Sequence, residues 1–250
     1  MLMSALGRTL VAAALWTPVA APLVAQEAAA AAPDTWSGSL GLGLAFTSGN
    51  SDTRSYNLSF TAAHDPKTRN VFKAEGLYLR AEQDGTATAD KTSLGLRDEY
   101  KLSTRVFAFG QLGFLRDRFK QLDSLIAPLA GVGLRAVDDE RVKLTLDAGL
   151  GGAFEKLEGS ESTFSGAAQA GQSLTWTLSS AATFTQGATA LWKLDDFGDA
   201  FYRLTAGLTT TVSKRLELKL SYTKDIKTRP AQETLLKSDD SLLANLVLKL

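Results

Sequence analysis

The 250-residue sequence contains no cysteine and one histidine, His64. The first absence excludes disulfides and thiolate metal sites, and the second excludes any centre built from clustered imidazoles. Excess charge is missing too. Lys plus Arg and Asp plus Glu each number 27, and no basic run stands out, so the chain carries no electrostatic footprint for nucleic acid. No Walker loop, dinucleotide fingerprint or metal-ligand spacing occurs, so no cofactor is implied. Beyond residue 25 there is no apolar stretch of about 18 residues, and no membrane-spanning helix is expected.

What is present begins with an export signal. Arg8 is the only charge before Glu27, and the apolar run from Leu10 to Leu15 continues through Pro18 to Val24. Val19-Ala20-Ala21 and Leu23-Val24-Ala25 both then offer a small-residue cleavage site; the second is favoured, so residues 1–25 read as a signal peptide. A helical anchor is disfavoured because Pro18 and Pro22 break a run shorter than the ~20 residues a span needs. Residues 26–35, Ala-rich with Pro33, read as a flexible leader, and 36–250 as one domain.

That domain alternates with a period of two. Val142, Leu144, Leu146, Ala148 and Leu150 are apolar, while Lys143, Thr145, Asp147 and Gly149 between them are not. Successive side chains of a strand point to opposite faces, so one face is greasy and the other wet. The pattern predicts strands near 36–47, 53–63, 70–82, 91–102, 106–116, 125–137, 142–154, 163–177, 181–191, 202–212, 216–226 and 240–250. Such lengths match the ~9–11 residues a tilted strand needs to cross hydrocarbon. The expected fold is all-β: a transmembrane antiparallel up-and-down β-barrel of twelve strands. Ten or fourteen strands are the alternatives if the segment from Thr177 to Ala182 divides differently.

Connections alternate in length. Ser103 to Arg105, Asp138 to Arg141, Leu178 to Ser180 and Ser213 to Arg215 are short, with His64 to Arg69 slightly longer; these are the expected periplasmic turns. Gln83 to Asp90, Asp117 to Ser124, Glu155 to Ser162, Trp192 to Phe201 and Lys227 to Asp239 are longer and more polar, and read as external loops; only Ser48 to Asp52 is short. Aromatic residues favour the greasy face near strand ends. Trp36, Phe46, Tyr56, Tyr78, Tyr100, Phe114, Phe154, Trp176, Trp192 and Tyr202 are expected to form interfacial girdles. Phe107, Phe109 and Phe201 fall on the other face, and the pattern does not explain them.

A soluble β-sandwich or lipocalin-like barrel also alternates, but it must fill its inside with bulky apolar side chains. Here Gly, Ser, Thr and charged residues oppose the Leu-rich face, as suits a wet lumen. The last segment, Leu242, Ala244, Leu246, Leu248 and Leu250, resembles the C-terminal signal read by the outer-membrane assembly machinery, although an aromatic usually stands where Leu250 does. Expected partners are therefore that machinery, outer-membrane lipid and lipopolysaccharide, with the bacterial outer membrane as location. The oligomeric state is left open.

Lys73, Glu75, Arg97, Glu99, Lys101, Arg135, Lys143, Asp147, Arg203, Glu217 and Lys219 fall on the wet face and are the candidate lumen residues. One register of strands three and four sets Glu75 against Arg97 and Lys73 against Glu99, contributing roughly 0.2–1 kcal/mol per pair. A shift of two sets Glu75 against Glu99 and Lys73 against Lys101, which repel, so the first register is expected. Mixed signs fit either an ion-paired plug or a weakly selective pore for small polar solutes. Arg116, Asp117 and Arg118 lie at the external rim, where they read as solvated or paired with lipopolysaccharide phosphate. Catalysis is not expected. His64 falls in a turn, His64-Asp65-Pro66-Lys67, and the pairs Asp195–Asp196 and Asp239–Asp240 read as solvated loop residues. An outer-membrane hydrolase and a structural or adhesive barrel with a closed lumen are the alternatives.

The stretch Ser48-Gly49-Asn50-Ser51-Asp52-Thr53 resembles the Gly-Asn-Ser/Thr turn of the salt-induced outer-membrane proteins, the YdiY-like family (domain of unknown function 481). Asp98-Glu99-Tyr100, Phe114 to Phe119, Gly131 to Arg135 and Leu146 to Gly151 then follow in that family's order. The resemblance covers roughly 36–250. It implies an outer-membrane barrel linked to salt or osmotic stress, and no assigned activity.

Overall fold

The computed structural model describes residues 35–47, 53–231 and 236–250. The expected signal peptide, and the leader up to Asp34, lie outside these residues. Twelve strands follow in chain order: β1 (Trp36–Thr47), β2 (Thr53–His64), β3 (Asn70–Gln83), β4 (Thr86–Lys101), β5 (Val106–Asp117), β6 (Leu122–Asp138), β7 (Val142–Leu157), β8 (Thr163–Thr177), β9 (Ala182–Lys193), β10 (Ala200–Thr211), β11 (Leu216–Lys227) and β12 (Ser238–Lys249). Every strand pairs antiparallel with its sequence neighbours, and β1 closes on β12. Both ends of the barrel chain therefore lie at one rim, here the terminal end. The loop end is the opposite rim.

The alternation becomes a wall with two faces. Even-numbered Leu42, Leu58, Leu150, Leu204, Leu218 and Leu242 are exposed on the outside, whereas odd-numbered Phe107, Phe109, Leu129, Glu99 and Asp225 are buried within. An outer surface this greasy is stable only against lipid, and a closed sheet tolerates lipid because its backbone groups are bonded strand to strand. Among the described residues no helix is long and apolar enough to cross a membrane.

Aromatic rings band the wall at both rims. Near the loop end Tyr56 and Tyr78 lie 6.0 Å apart, Phe154 and Phe164 4.8 Å, and Trp192 Nε1 donates to Tyr202 Oη at 3.1 Å. Phe114, on β5, belongs to the same band. At the terminal end stand Tyr100, Trp176 and Trp36, the last stacked on His64 at 4.5 Å. The Phe46 side chain lies outside the described residues.

Two expectations change. The external loops are shorter than the polar sequence suggested, because pairing runs on past the apolar belt: β4 begins at Thr86, β6 at Leu122, and β7 continues to Leu157. Thr86 and Thr88 favour strand, and Asp84-Gly85 closes β3 on β4 in two residues, with φ 49° and 76°. That turn also sets the register. Lys73 faces Arg97 and Glu75 faces Gly95, with a shift between Ala81 and Glu82, so neither register considered from charge alone is the one formed. Glu99 relieves the facing cations by binding both, at 2.8 Å to Lys73 Nζ and 3.1 Å to Arg97 Nε. Glu99→Gln is accordingly expected to lower the heat-modifiability midpoint on gels more than Glu75→Gln. Arg97→Glu is not expected to rescue Glu75→Lys, and a rescue would mean that the two residues face each other after all.

Candidate functional site

The inward face divides by height. In the terminal half, β3 to β7 carry the large side chains. Phe107 and Phe109 enter the lumen beneath two guanidiniums: Arg97 lies 3.8 Å from the Phe109 ring centroid and Arg135 lies 4.9 Å from that of Phe107. Glycines opposite make the room. Phe107 pairs with Gly133 and Phe109 with Gly131, and a side chain at Gly131 would stand 2.8 Å from Phe109 Cζ. Arg97 also reaches Gln111 at 2.7 Å and, past two strands, Asp147 at 3.2 Å; Arg135 meets Glu99 at 3.6 Å. Elsewhere on the inward face, β8 to β10 present Ser173, Thr175, Thr185, Gly187, Thr205 and Thr209, small residues that are not fully buried.

The loop half is crossed by ion pairs. Lys91 of β4 bonds Asp225 of β11, which also takes Arg203 at 2.7 Å; β4 and β11 are not neighbours in the sheet, so the contact traverses the interior. Just above, Glu155 of β7 pairs with Lys193 and, at 2.8 Å, with Lys227 of β11. Asp199 joins the same two lysines at 2.6 and 2.7 Å. Lys120, folded inward by a single 3-10 turn, reaches Asp239 at 3.0 Å and the Asp225 carbonyl at 3.2 Å. Beside these charges Leu115, Leu122, Leu125, Ala127, Leu129, Ala153 and Ala167 form an apolar cluster, with Leu157, Leu191 and Phe201 against it. The cavity between cluster and lysines measures about 10 Å³, room for roughly one water.

The candidate lumen residues fall into three groups. Of those inside, Lys73, Arg97, Glu99, Arg135 and Asp147 meet one another, Arg203 joins Asp225 in the loop half, and Glu75 faces Gly95. Lys101 binds Asp65, Lys143 lies 4.0 Å from Asp138, and Glu217 meets Lys249 at 3.3 Å, all at the terminal rim rather than deep within. Lys219 faces Asn245 across the β11–β12 pair and has no carboxylate partner among the described residues. The rim triad does not act as a unit. Arg116 is exposed outward and Arg118 meets Asp90 at 3.5 Å, but Asp117 turns inward and caps the 3-10 turn through the Phe119 and Lys120 amides. Lys91, Lys193, Asp225, Lys227 and Glu155 were missed because they lie in segments read as loops or at strand ends. Their odd numbering already placed them inside.

Three carboxylates outside the spanning strands are held in the charged form. Burial alone would raise Asp199, but the Lys193 and Lys227 ammoniums bonded to it keep it below the ordinary carboxylate range. Burial likewise opposes ionisation of Asp65, and the Lys67 amide and Lys101 ammonium overcome it. Asp139 is lowered by the Val142 and Arg141 amides it accepts. A folded-state pKa below the unfolded one means that the native chain binds fewer protons. The stability contributed is therefore complete above the ordinary carboxylate range and is lost as pH falls through the lowered values. Melting followed from pH 7 downward should show a falling midpoint in that acid window and none of the loss near neutrality; Asp199→Asn should flatten the fall.

A closed twelve-stranded wall with an apolar exterior, aromatic girdles and a polar interior defines an outer-membrane β-barrel, located in the bacterial outer membrane. The chain belongs to the family described as "Protein of unknown function, DUF481", whose model matches residues 40–250. Among solved structures it is similar to the NanC porin, with 11% identity and a TM-score of 0.55 over 86% of this chain and 100% of that one. It also matches the KdgM porin, at 7% identity and TM-score 0.46 over 84% and 97%. A third match is the translocator domain of the autotransporter NalP from Neisseria meningitidis, at 12% identity and TM-score 0.46 over 86% of each chain. The NanC likeness bears on fold alone. No curated protein matches the sequence.

Proposed function

We propose that the barrel is a narrow, weakly selective channel for small polar solutes, with its terminal end toward the periplasm and its bore set by the ion-pair layer of the loop half. The observation that carries this reading is the inward Ser, Thr and Gly face of β8 to β10, small polar residues beside a charge-balanced sector. Because Arg97 is paired with Asp147, Lys73 with Glu99 and Arg203 with Asp225, the lumen favours neither ion sign. The family resemblance makes high osmolarity the condition in which to look for its use. The reading is non-catalytic. His64 is occupied by Trp36, Asp195 accepts from Ser165, Asp196 binds Arg229, and Asp240 binds Lys224.

Planar-bilayer recording of the refolded chain tests the proposal. Small conductance steps with a cation-to-anion permeability ratio near one are expected. A barrel that is folded by gel mobility yet silent would overturn the channel in favour of a closed structural barrel, the alternative that the cross-lumen ion pairs favour.

A further inference from the structure

The two rims of the wall differ in outward charge. On β2, β3, β5 and β7 a cation shares the outward face with a girdle ring and stands two residues nearer the loop end. The pairs are Arg54 with Tyr56, Arg80 with Tyr78, Arg116 with Phe114 and Lys156 with Phe154. Two residues of strand span about 7 Å, so the cations lie just above the rings that mark the edge of the hydrocarbon. Arg54, Arg116 and Lys156 are exposed and meet no carboxylate among the described residues. The acids beside them have other partners or lie apart: Glu82 holds Arg80 at 2.8 Å, Arg118 meets Asp90 at 3.5 Å, and Glu158 follows the end of β7. The same spacing recurs on β11, but there Asp240 already engages both Tyr222 and Lys224. The terminal rim is built differently. Exposed Leu102 and Leu178 stand two residues past Tyr100 and Trp176, and Arg69 donates to the Tyr100 hydroxyl at 3.2 Å.

Uncommitted cations at headgroup depth attract anions, and the apolar wall directly below them attracts acyl chains. An anionic amphiphile satisfies both. From β2 to β7 the cations cover five ladder steps, about 24 Å of wall, too wide for a single phosphate. Arg54 and Arg80 lie on adjoining strands, whereas Arg116 and Lys156 flank β6, two ladder steps or about 10 Å apart. We infer that the loop-end rim from β2 to β7 docks a glycolipid carrying two phosphates, the lipid A part of lipopolysaccharide. One phosphate sits on Arg54 beside Arg80, the other between Arg116 and Lys156, and the acyl chains run along Leu58, Leu94, Leu112 and Leu150, all exposed beneath. Of the rim triad the site keeps Arg116 alone. It lies outside the barrel and does not depend on conduction along the axis.

Native mass spectrometry of the full barrel in detergent and EDTA tests this with three amphiphiles: bisphosphorylated lipid A, its monophosphorylated form, and phosphatidylglycerol. Bisphosphorylated lipid A is expected to form a one-to-one adduct that outlasts both others. The triple substitution Arg54→Gln/Arg116→Gln/Lys156→Gln should weaken that adduct about tenfold, the sum of three exposed charge contacts, while gel mobility reports a folded barrel. Lys156→Arg, which keeps the charge, should bind as the parent does. Arg105→Gln/Lys214→Gln/Arg215→Gln, the same loss of charge at the terminal rim, should leave the adduct unchanged. Equal retention of the three amphiphiles overturns the inference, as does an adduct indifferent to the loop-end triple or equally weakened by the terminal-rim triple. Displacement by inorganic phosphate at matched concentration would reduce the site to one for free anions and overturns it too. Bilayer conductance of the loop-end triple, recorded without lipid A, is expected to match the parent, so a failed channel and a failed docking site give different results.

Discussion

Asp225→Ala should lower the unfolding free energy of the barrel by about 3–5 kcal/mol, the cost of breaking a buried ion pair from one side. The carboxylate is 2% exposed and is the common partner of Lys91 and Arg203. Its folded-state environment is dominated by charge: removing it leaves an ammonium at 8% exposure and a guanidinium with no counter-ion at bonding distance. The cost comes mostly from those orphaned cations, so taking them away together should recover much of it. Asp225→Leu combined with Lys91→Met and Arg203→Met is expected to melt above the single Asp225→Ala variant. Urea or thermal unfolding in lipid vesicles, followed by gel mobility, measures both. A triple variant no better than the single would show that the network contributes through packing rather than charge. In bilayers both variants should conduct more than the parent, since Lys91–Asp225 is a bar across the lumen.

Phe107→Ala is the second large effect, with about 3–5 kcal/mol expected for truncating a buried aromatic ring. Phe107 is 1% exposed, and its ring lies under Arg135 and within 5.7 Å of Arg97. The loss combines the ring's own contacts with the void left opposite Gly133, which has no side chain to collapse into it. Phe107→Leu should cost far less, because it keeps most of the volume. If the truncated variant melted with the parent while Phe107→Leu did not, the ring would be straining the wall rather than supporting it. Conductance should rise for Phe107→Ala, and by less than for Asp225→Ala.

Much of the wall could be read from residue order. Alternation such as Val142 to Leu150 fixes which side of a strand meets lipid whatever the register, so facing followed directly, whereas the count of twelve rested on Thr177 to Ala182, which forms the turn between β8 and β9. Register did not follow, because facing charges are worth little beside a turn that fits: Asp84-Gly85 overrode the Glu75–Arg97 pairing. The interior was legible only in part. Arg97 and Asp147 could be placed inside by parity, yet they lie on β4 and β7, and no strand-by-strand reading brings them together. Lys91 and Asp225 meet only once the sheet closes. Phe107 and Phe109 looked misplaced because a polar lumen was expected; glycines on β6 are what let two rings sit among arginines.

The sheet's irregularities lie at Ala81/Glu82, Leu115/Asp117, Leu122/Ser124 and Arg135/Val137, each within a few residues of a strand end. Past the last of them parity inverts, and odd-numbered Val137 is exposed. An extra residue at bilayer depth would turn every later side chain of its strand the wrong way, charges to lipid and leucines to water. A single residue inserted within the belt of this chain is thus expected to abolish folding, whereas one inserted at a rim, or two together within the belt, should be tolerated.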